Sequence, residues 1–354
     1  MAVDKDFSLL NQAARLAVLG HGTAEPNPMV GCIITNKDGD IVGEGFHEKC
    51  GEAHAEINAL AMAGESAKGG TAFVTLEPCN HHGKTPPCSK ALLNAGIVRV
   101  VIGATDPHTL ASGGATFLEA NGIEVIFVND DRCNEILAPF AHRTKTGLPW
   151  VTCKWAQTTD GNIETPDGDS PWISCEESQQ LVHEERGCVD AIVVGVGTVT
   201  SDNPSLTVRG ATKYRTPLRV VVDPHLRTPI DATVLNDDAP TLFVHKVGTD
   251  TSHFTRTNLL AVPEKNGVLL LETLFRHLVE EYDATNVIVE GGATLFRHIF
   301  QQQLANELWI FTAPHESNCV PSTNMNTLIE TLSTTLLDKQ PCGIDAVQRH
   351  AVTY

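Results

Sequence analysis

A histidine, a glutamate and two cysteines in the first half of the sequence have the types and spacing of a catalytic metal site. One residue separates His54 from Glu56, Cys79 follows a proline, and eight residues separate Cys79 from Cys88. One imidazole and two thiolates give zinc three ligands and leave its fourth tetrahedral position open for water. Since an open position is typical of catalytic zinc, the pattern predicts one hydrolytic zinc centre per chain.

Glu56 has a different predicted role, because the three ligands are already accounted for. A carboxylate beside the attacking water can take its proton and deliver it to a ring nitrogen and the departing amine. The order H-x-E and then P-C…C is that of zinc-dependent deaminases, here with a longer gap between the cysteines than usual. Two alternatives stay open: a pair of buried thiols, or a closed structural site in which His81 or His82 is the fourth ligand.

The elements that must position these residues alternate between helix and strand. Helical spacing of apolar residues predicts helices over Phe7–Val18 and from about His54 to Met62. The predicted strands of the first half are Val30–Thr35, Ile41–Phe46, Thr71–Leu76, Val98–Ile102 and Val125–Val128. This order predicts a three-layer α/β domain.

The second half repeats the alternation after a break. The polar and basic stretch His142–Pro149 ends in Gly and Pro, as linkers and domain edges do, and places the domains at residues 1–146 and 147–354. Ser174 with Glu177 is interpreted as a capping box that starts a helix. The predicted strands are Val151–Trp155, Ala191–Val196, Arg219–Asp223, Thr241–His245, Val287–Glu290 and Leu308–Phe311. A second α/β domain is expected, without the G-x-G-x-x-G fingerprint of a Rossmann fold.

Composition narrows the class of partner. The 354 residues carry a formal net charge of -18, which repels phosphate backbones and argues against a nucleic-acid partner. No apolar run reaches the ~20 residues of a membrane helix, and no signal peptide is visible. The ten cysteines are then expected to be reduced thiols in a cytoplasmic protein. The oligomeric state stays open, with a homo-oligomer among the options.

Longer strings around the metal motif are more specific than the motif itself. They closely resemble the bifunctional riboflavin-biosynthesis deaminase-reductase family, in which a diaminohydroxyphosphoribosylaminopyrimidine deaminase is fused to an NADPH-dependent reductase. The matching strings are Pro26–Cys32, Gly43–His47, His54–Glu56, Thr75–Cys88, Ser170–Ile173, Thr198–Arg209 and Glu290–Leu295. The resemblance implies a cytidine-deaminase-like domain followed by a dihydrofolate-reductase-like domain.

The same resemblance implies roles for individual residues. The expected partner is a small phosphorylated pyrimidine, deaminated first and then reduced from ribosyl to ribityl. Substrate contacts are implied for Asn27, His47, His81, Lys84, Asp106, Ser170, Arg186, Leu206, Arg209 and Glu290. Cofactor contacts are implied for Gln157, Trp172, Thr198, Asp202, Pro224, Gly292, Ala293, Thr294, Leu295, Phe296, Arg297 and His298. Lys84 with His81, and Arg186 with Arg209, are suited to grip phosphate, and Lys154 is a further candidate near the reacting sugar.

The chain departs from the family pattern at three places. His108 stands where the family often has Asn, and Pro224 stands where a small polar residue is usual and removes a backbone donor. After Ala313-Pro314 the family usually continues with a lysine and a glycine-rich stretch, which His315–Asn318 does not match. The function of the segment after Pro314 is therefore not predicted.

Other functions remain to be weighed against this one. A nucleoside or tRNA-base deaminase would share the zinc core, but the acidic charge and the loop that holds Lys84 argue against it. A zinc-stabilised binding module would have no use for Glu56. The third alternative is a working deaminase joined to an inactive reductase, which the departure after Pro314 keeps open.

Overall fold

The structure is a computed structural model that describes residues 2–80, 87–107, 113–163, 172–252, 254, 258–317 and 323–354. The chain forms two compact units, Met1–Gly147 and Leu148–Tyr354. Among the helices of the described residues, none combines the length and the apolar character that crossing a membrane requires.

The first unit is a sheet covered by helices. Within the described residues five strands pair in the order β2-β1-β3-β4-β5, with β3, β4 and β5 parallel. The elements are α1 (Ala2–Val18), β1 (Gly31–Thr35), β2 (Ile41–Phe46), α2 (Ala55–Ala63), β3 (Thr71–Leu76), α3 (Cys88–Asn94), β4 (Arg99–Ala104), α4 (Gly114–Ala120), β5 (Glu124–Phe127) and α5 (Asp131–Thr146), with a short 3-10 turn at Gly64–Ala67.

Alternate side chains of the strands pack into two hydrophobic cores, one on each face of the sheet. Ile33, with its neighbours on β3 and β4, packs against Leu10 of α1. Ile34 and Val74 point the other way and belong to the core that includes Ala59 of α2. This is the three-layer arrangement that the alternation of elements predicts.

Glycine lets helix α2 lie directly on β2. A Cβ added at Gly45 would lie 2.5 Å from the backbone oxygen of Ala55, which is too close for any side chain. The first turn of α2, with Glu56 in it, is therefore fixed against the sheet by backbone packing.

The stretch predicted to be a linker is helical as far as Thr146. Helix α5 begins after Asp130, whose carboxylate accepts from the backbone N–H of Cys133, and ends at Gly147 with φ 69°. The basic residues Arg143 and Lys145 lie in its last turn, where cations stabilise the helix dipole. Polar composition therefore marked the end of a helix here: residues 142–146 are helical and not an extended linker, and the edge between the two units lies at Gly147.

The second unit is built on a larger sheet. Within the described residues nine strands pair in the order β10-β9-β8-β7-β13-β6-β14-β16-β15, parallel from β10 to β14 and antiparallel beyond. The strands are β6 (Trp150–Thr158), β7 (Ala191–Gly195), β8 (Leu218–Val222), β9 (Thr241–Lys246), β10 (Asn258–Val262), β13 (Asn286–Val289), β14 (Glu307–Ala313), β15 (Ser333–Cys342) and β16 (Asp345–Thr353). A separate small hairpin is formed by β11 (Glu264–Lys265) and β12 (Val268–Leu269).

Helices and the C-terminal hairpin complete this unit. The helices are α6 (Glu176–Arg186), α7 (Val196–Asp202), α8 (Leu271–Tyr282), α9 (Ala293–Gln301) and α10 (Met325–Ile329), with a 3-10 turn at Thr233–Leu235. The faces of the sheet bury two apolar clusters, one around Trp155 and Phe296 and the other around Phe243 and Phe311. The segment after Pro314 thus supplies one helix and two strands, and the α/β class predicted for both halves is confirmed.

Helix α6 is not capped by the predicted Ser174–Glu177 box. Its N-cap is Cys175, which makes no capping bond with its own side chain, so Glu177 occupies the second helical position instead of the third. Asp345 at the start of β16 replaces the box: its Oδ2 accepts from the backbone N–H of Cys175 at 2.9 Å and from the Ser178 hydroxyl at 2.6 Å. The C-terminal hairpin therefore holds the start of α6.

We expect Asp345→Ala to lower the free energy of unfolding of the second unit by about 1–3 kcal/mol, because two buried donors lose their acceptor. Asp345→Asn keeps an acceptor oxygen and should cost less than Asp345→Ala. Urea denaturation followed by circular dichroism measures both. Equal stability of the Ala variant and the unchanged protein would contradict the assigned cap.

Candidate active sites

Three donor atoms of the first unit converge on one point. His54 is the N-cap of α2, Cys79 lies in the loop after β3, and Cys88 is the first residue of α3. The Nδ1 atom of His54 lies 3.6 Å from Cys79 Sγ and 3.3 Å from Cys88 Sγ, and all three donor atoms lie within 4.8 Å of one another. Tetrahedral zinc at its usual bond lengths would separate N and S ligands by ~3.6 Å. The donor set and its spacing therefore fit zinc.

The two thiols differ in their environment. A hydrogen bond from the Cys88 thiol lowers the pKa of Cys79 to about 4, and the same contact together with burial raises the pKa of Cys88. The backbone N–H of Cys88 also points at Cys79 Sγ, at 3.4 Å. Cys79 is therefore held as a thiolate, the form that binds metal.

Glu56 faces this cluster from the first turn of α2. Its side chain is 3% exposed, and it interacts with His54, Cys79 and the Cys88 thiol. Burial raises the pKa of Glu56 to about 7, and such a value near neutrality suits a group that must both accept and release a proton.

Asn27 and His47 form a hydrogen-bonded pair beside the cluster. His47 Nδ1 lies 3.0 Å from the backbone oxygen of Ala53 and must donate to it, so its Nε2 accepts from Asn27 Nδ2 at 3.1 Å. Burial lowers the pKa of His47, which keeps the ring neutral, and the ring packs edge-on against His54 at 5.3 Å between centroids. The structure thus brings both predicted residues to the metal cluster.

The remaining predicted substrate residues of this unit are less fully described. Asp106 is half-buried, two residues after the end of β4. His81, Lys84 and His108 lie outside the described residues.

Sequence reasoning missed three residues that hold the ligand loop. Glu77 Oε1 accepts from the backbone N–H groups of Gly113 and Ala115 at the start of α4, and Asn80 Oδ1 accepts from the buried Ser89 hydroxyl at 2.9 Å. Their nearness to Cys79 and Cys88 in the sequence was the available signal, since residues that orient metal ligands commonly flank them.

The second unit brings together charged residues near the carboxyl end of β13. Arg186 at the end of α6 donates two hydrogen bonds to Glu290, both of 2.7 Å, and the two side chains are 12% and 11% exposed. Lys154 Nζ lies 5.2 Å from the ring centre of Phe311. Burial lowers the pKa of Lys154. Burial raises the pKa of Glu290, but the charge and hydrogen bonds of Arg186 together with the charges of Lys154 and His183 lower it overall. Arg186 is therefore paired and half-buried, unlike an ordinary surface arginine.

Arg209 lies on the loop that follows α7. Its side chain donates to Ser205 Oγ at 2.5 Å and approaches His183 Nε2 at 3.4 Å, while its backbone N–H lies 3.2 Å from His183 Nδ1. Burial, helped by Arg186 and Arg209, lowers the pKa of His183 to about 4, so the imidazole is neutral. Leu206 is buried in the same loop with φ 50°. The charge of Arg209 is thus not neutralised by these partners. Ser170 lies outside the described residues.

The predicted cofactor residues surround the carboxyl ends of neighbouring strands. Gly292 caps α9 after β13, and a Cβ added to it would meet nothing within 4 Å, so the space before this helix is open. A helix N-terminus with open space and a glycine turn can receive a phosphate group. Thr198 and Asp202 lie on α7 after β7, the strand parallel to β13. These features fit a dinucleotide phosphate.

The other residues predicted to contact the cofactor differ in their place and in their exposure. Ala293, Thr294, Leu295, Phe296, Arg297 and His298 form the first turns of α9, with Leu295 and Phe296 buried. Trp172 is 56% exposed. The backbone oxygen of Pro224 accepts from Lys246 N and Thr249 Oγ1, so this residue already links two loops. Gln157 is buried at the end of β6.

Comparisons with known proteins agree with both halves. Residues 4–104 match the family model of the cytidine and deoxycytidylate deaminase zinc-binding region, and residues 149–315 match that of the RibD C-terminal domain. The chain is 39% identical to riboflavin biosynthesis protein RibD of Aquifex aeolicus over 88% of its own length and 87% of the relative's. Against the protein of the same name from Escherichia coli it is 36% identical, covering 88% of each.

Solved structures give the same result. Acinetobacter baumannii RibD superposes with a TM-score of 0.81 at 33% identity, covering 99% of this chain and 100% of the other. A diaminohydroxyphosphoribosylaminopyrimidine deaminase/5-amino-6-(5-phosphoribosylamino)uracil reductase from Thermotoga maritima superposes with a TM-score of 0.85 at 29% identity, over 100% of both chains.

Proposed function

Because this chain belongs to the RibD family of riboflavin biosynthesis proteins, we propose that the cluster of His54, Cys79 and Cys88 with Glu56 performs its deamination. We assign the reduction step of the same family to the residues at the carboxyl edge of the nine-stranded sheet. The chain is a bifunctional enzyme, a zinc-dependent deaminase joined to an NADPH-dependent reductase. The observation that carries the assignment is the convergence of three metal donors with a buried carboxyl facing them.

The deaminase exchanges the amino group of the diaminopyrimidinone phosphate for an oxygen from water and releases ammonia. Bound zinc supplies a Lewis acid that makes water a nucleophile at neutral pH. Glu56 takes the proton of the attacking water and passes it to the ring nitrogen and then to the leaving amine. Burial raises the pKa of Glu56, which makes its carboxylate a stronger base toward the proton of the attacking water.

Asn27 orients the pyrimidine, and His47 orients Asn27. One N–H of Asn27 Nδ2 donates to His47 Nε2, which orients the amide and leaves its Oδ1 atom available to accept from an N–H group of the substrate. His81, Lys84 and Asp106 complete the substrate set on the strength of the family resemblance, with Lys84 and His81 at the phosphate.

Bound NADPH would supply a hydride for the ribosyl carbon that bears the amine, and the sugar oxygen released from this carbon would take a proton. Arg209 holds the substrate phosphate, with Leu206 in the same loop. The family resemblance adds Ser170 to the substrate contacts. Arg186 fixes Glu290 through two hydrogen bonds, and Glu290 with Lys154 faces the sugar. The turn at Gly292 and helix α9 receive the cofactor phosphates, with Trp172, Thr198 and Asp202 nearby.

The substrate is a small molecule, and neither a nucleic acid nor a membrane is a partner in this proposal. The site of action is the cytoplasm. Assembly into a homo-oligomer is compatible with the proposal and is not required by it.

Incubation with the diaminopyrimidinone phosphate, followed by mass analysis of the products, tests the function. Without NADPH, the product should show exchange of one amino for one oxo group; with NADPH, it should also gain the hydride and a proton. A deaminated product that NADPH leaves unchanged would establish the alternative, a deaminase with an inactive reductase. Absence of the first exchange would contradict the deaminase assignment itself.

A further inference from the structure

The segment after Pro314, in which the family pattern is lost, clasps the loop that follows β6. Thr159 donates twice to the backbone oxygen of His315, both at 3.0 Å, and the backbone N–H of Ser317 donates to Asp160 Oδ1 at 2.9 Å. From α10, Met325 N–H donates to the Gly161 oxygen at 2.9 Å. Residues 159–161 at the start of this loop are therefore held by backbone and side-chain hydrogen bonds.

The contact between this segment and the loop is closely packed at Gly161. Gly161 has φ 85°, and a Cβ added there would lie 2.7 Å from Asn324 Oδ1 and 2.9 Å from the amide of Asn326. Asn324 Nδ2 donates to the backbone oxygen of Asp160 at 2.7 Å. The two asparagines of the segment therefore pack directly on the loop backbone.

Asn326 reaches one residue of β6 by its side chain. Gln157 Oε1 accepts from the indole N–H of Trp155 at 2.7 Å, and an indole can only donate. The Gln157 amide is thereby oriented, and its Nε2 donates to Asn326 Oδ1 at 2.8 Å. Both ends of the Gln157 amide make hydrogen bonds inside the protein, so the side chain is held in one orientation at the end of β6.

The end of β6 borders the open part of the sheet. Strand β13 ends at Val289, opposite Cys153, whereas β6 continues to Thr158 with β14 as its partner in the described pairing. Residues 154–158 thus edge a gap that also holds Glu290 and the glycine turn before α9. Trp155 packs on Phe296 of α9 at 5.3 Å between ring centres, so α9, β6 and α10 are joined through Trp155, Gln157 and Asn326.

We infer that Asn326 is a positioning residue for the reductase cofactor, and that the segment after Pro314 is part of the reductase site. By holding Gln157, Asn326 fixes the backbone at the end of β6 beside Glu290 and beside the glycine turn before α9 that would hold the cofactor. This inference rests on the proposed NADPH-dependent reductase.

The test is NADPH binding, measured by fluorescence titration of the full chain, with reductase kinetics beside it. Asn326→Leu keeps the size of the side chain but leaves the Gln157 amide without its acceptor, and the dissociation constant for NADPH should rise about ten-fold to a hundred-fold. Asn326→Asp keeps an acceptor oxygen and should stay within a few-fold of the unchanged protein. Thr327→Val, at an exposed neighbour on α10, should bind NADPH normally.

Three measurements separate positioning from stability alone. Deaminase activity and the KM for the deaminated substrate should be unaffected in Asn326→Leu. Gln157→Met should weaken NADPH binding by a similar factor, and the double variant should be no worse than either, since both changes break one link. Additive losses, or a lowered melting temperature with unchanged NADPH affinity, would overturn the inference.

Should Asn326→Leu not fold, Gln157→Met alone decides, because normal NADPH affinity in that variant would also overturn the inference. If the unchanged protein itself consumes no NADPH with the deaminated substrate, the proposed reductase function fails, and that result is distinct from normal binding by the variants of an active enzyme.

Discussion

Glu56→Gln is expected to bind as much zinc as the unchanged protein and to deaminate about a hundred-fold to ten-thousand-fold more slowly. The three metal donors are left in place, and the glutamine is close in size to the glutamate. It cannot, however, carry a proton from water to the leaving amine. Zinc content by elemental analysis and ammonia release with the diaminopyrimidinone phosphate measure the two properties.

Two controls make this result specific. Glu52→Gln changes an exposed glutamate shortly before α2, paired at 3.5 Å with Lys49, and should deaminate normally. Supplying the deaminated intermediate to Glu56→Gln should restore NADPH oxidation, because the reductase residues lie in the other unit. A Gln variant that deaminates at nearly the normal rate would show that another group moves the proton.

Arg209→Ala is expected to lower the reductase kcat/KM by about ten-fold to a thousand-fold and to leave deamination unchanged. Arg209 donates to Ser205 and approaches a neutral His183, so its charge is available for the substrate phosphate. NADPH oxidation followed at varied concentrations of the deaminated intermediate gives the constants.

Arg276→Ala is the matched control for this change. Arg276 is a surface arginine of α8 that pairs with Glu272 one helical turn away, and such pairs contribute little. It should leave both activities as they were. Unchanged reductase kinetics in Arg209→Ala would show that this residue does not bind the phosphate. Arg186 would then be the remaining predicted phosphate ligand.

The strands that bring the metal ligands together were predictable because they are apolar runs bounded by turn residues. The predicted bounds Ile41–Phe46 and Thr71–Leu76 coincide with β2 and β3. The C-terminal strand β15 is mostly exposed, so neither alternation nor an apolar run distinguished it from a loop. The predicted cap of α6 was wrong because the true acceptor, Asp345, is distant in the sequence, and no local pattern could indicate it.

Some site residues could be identified from their local sequence pattern, whereas others are distinguished only by contacts in the folded chain. The metal ligands and Glu56 have a spacing that indicates their chemistry, so they could be identified from the sequence alone. The pairing of Arg186 with Glu290 joins residues 104 positions apart, and no local pattern in the sequence predicts it. Asn326 is one of several polar residues in the divergent segment, and only its contact with Gln157 in the folded chain distinguishes it from them.

The C-terminal hairpin also sets the order in which the two halves are finished during synthesis. Every residue of the first unit has been added once Gly147 is made, so that unit can fold and take up its metal while the ribosome is still translating the rest. The large sheet must wait, because β16 lies between β14 and β15 and its Asp345 caps α6. A premature stop codon a few dozen residues upstream of Tyr354 should therefore abolish reduction and leave deamination intact.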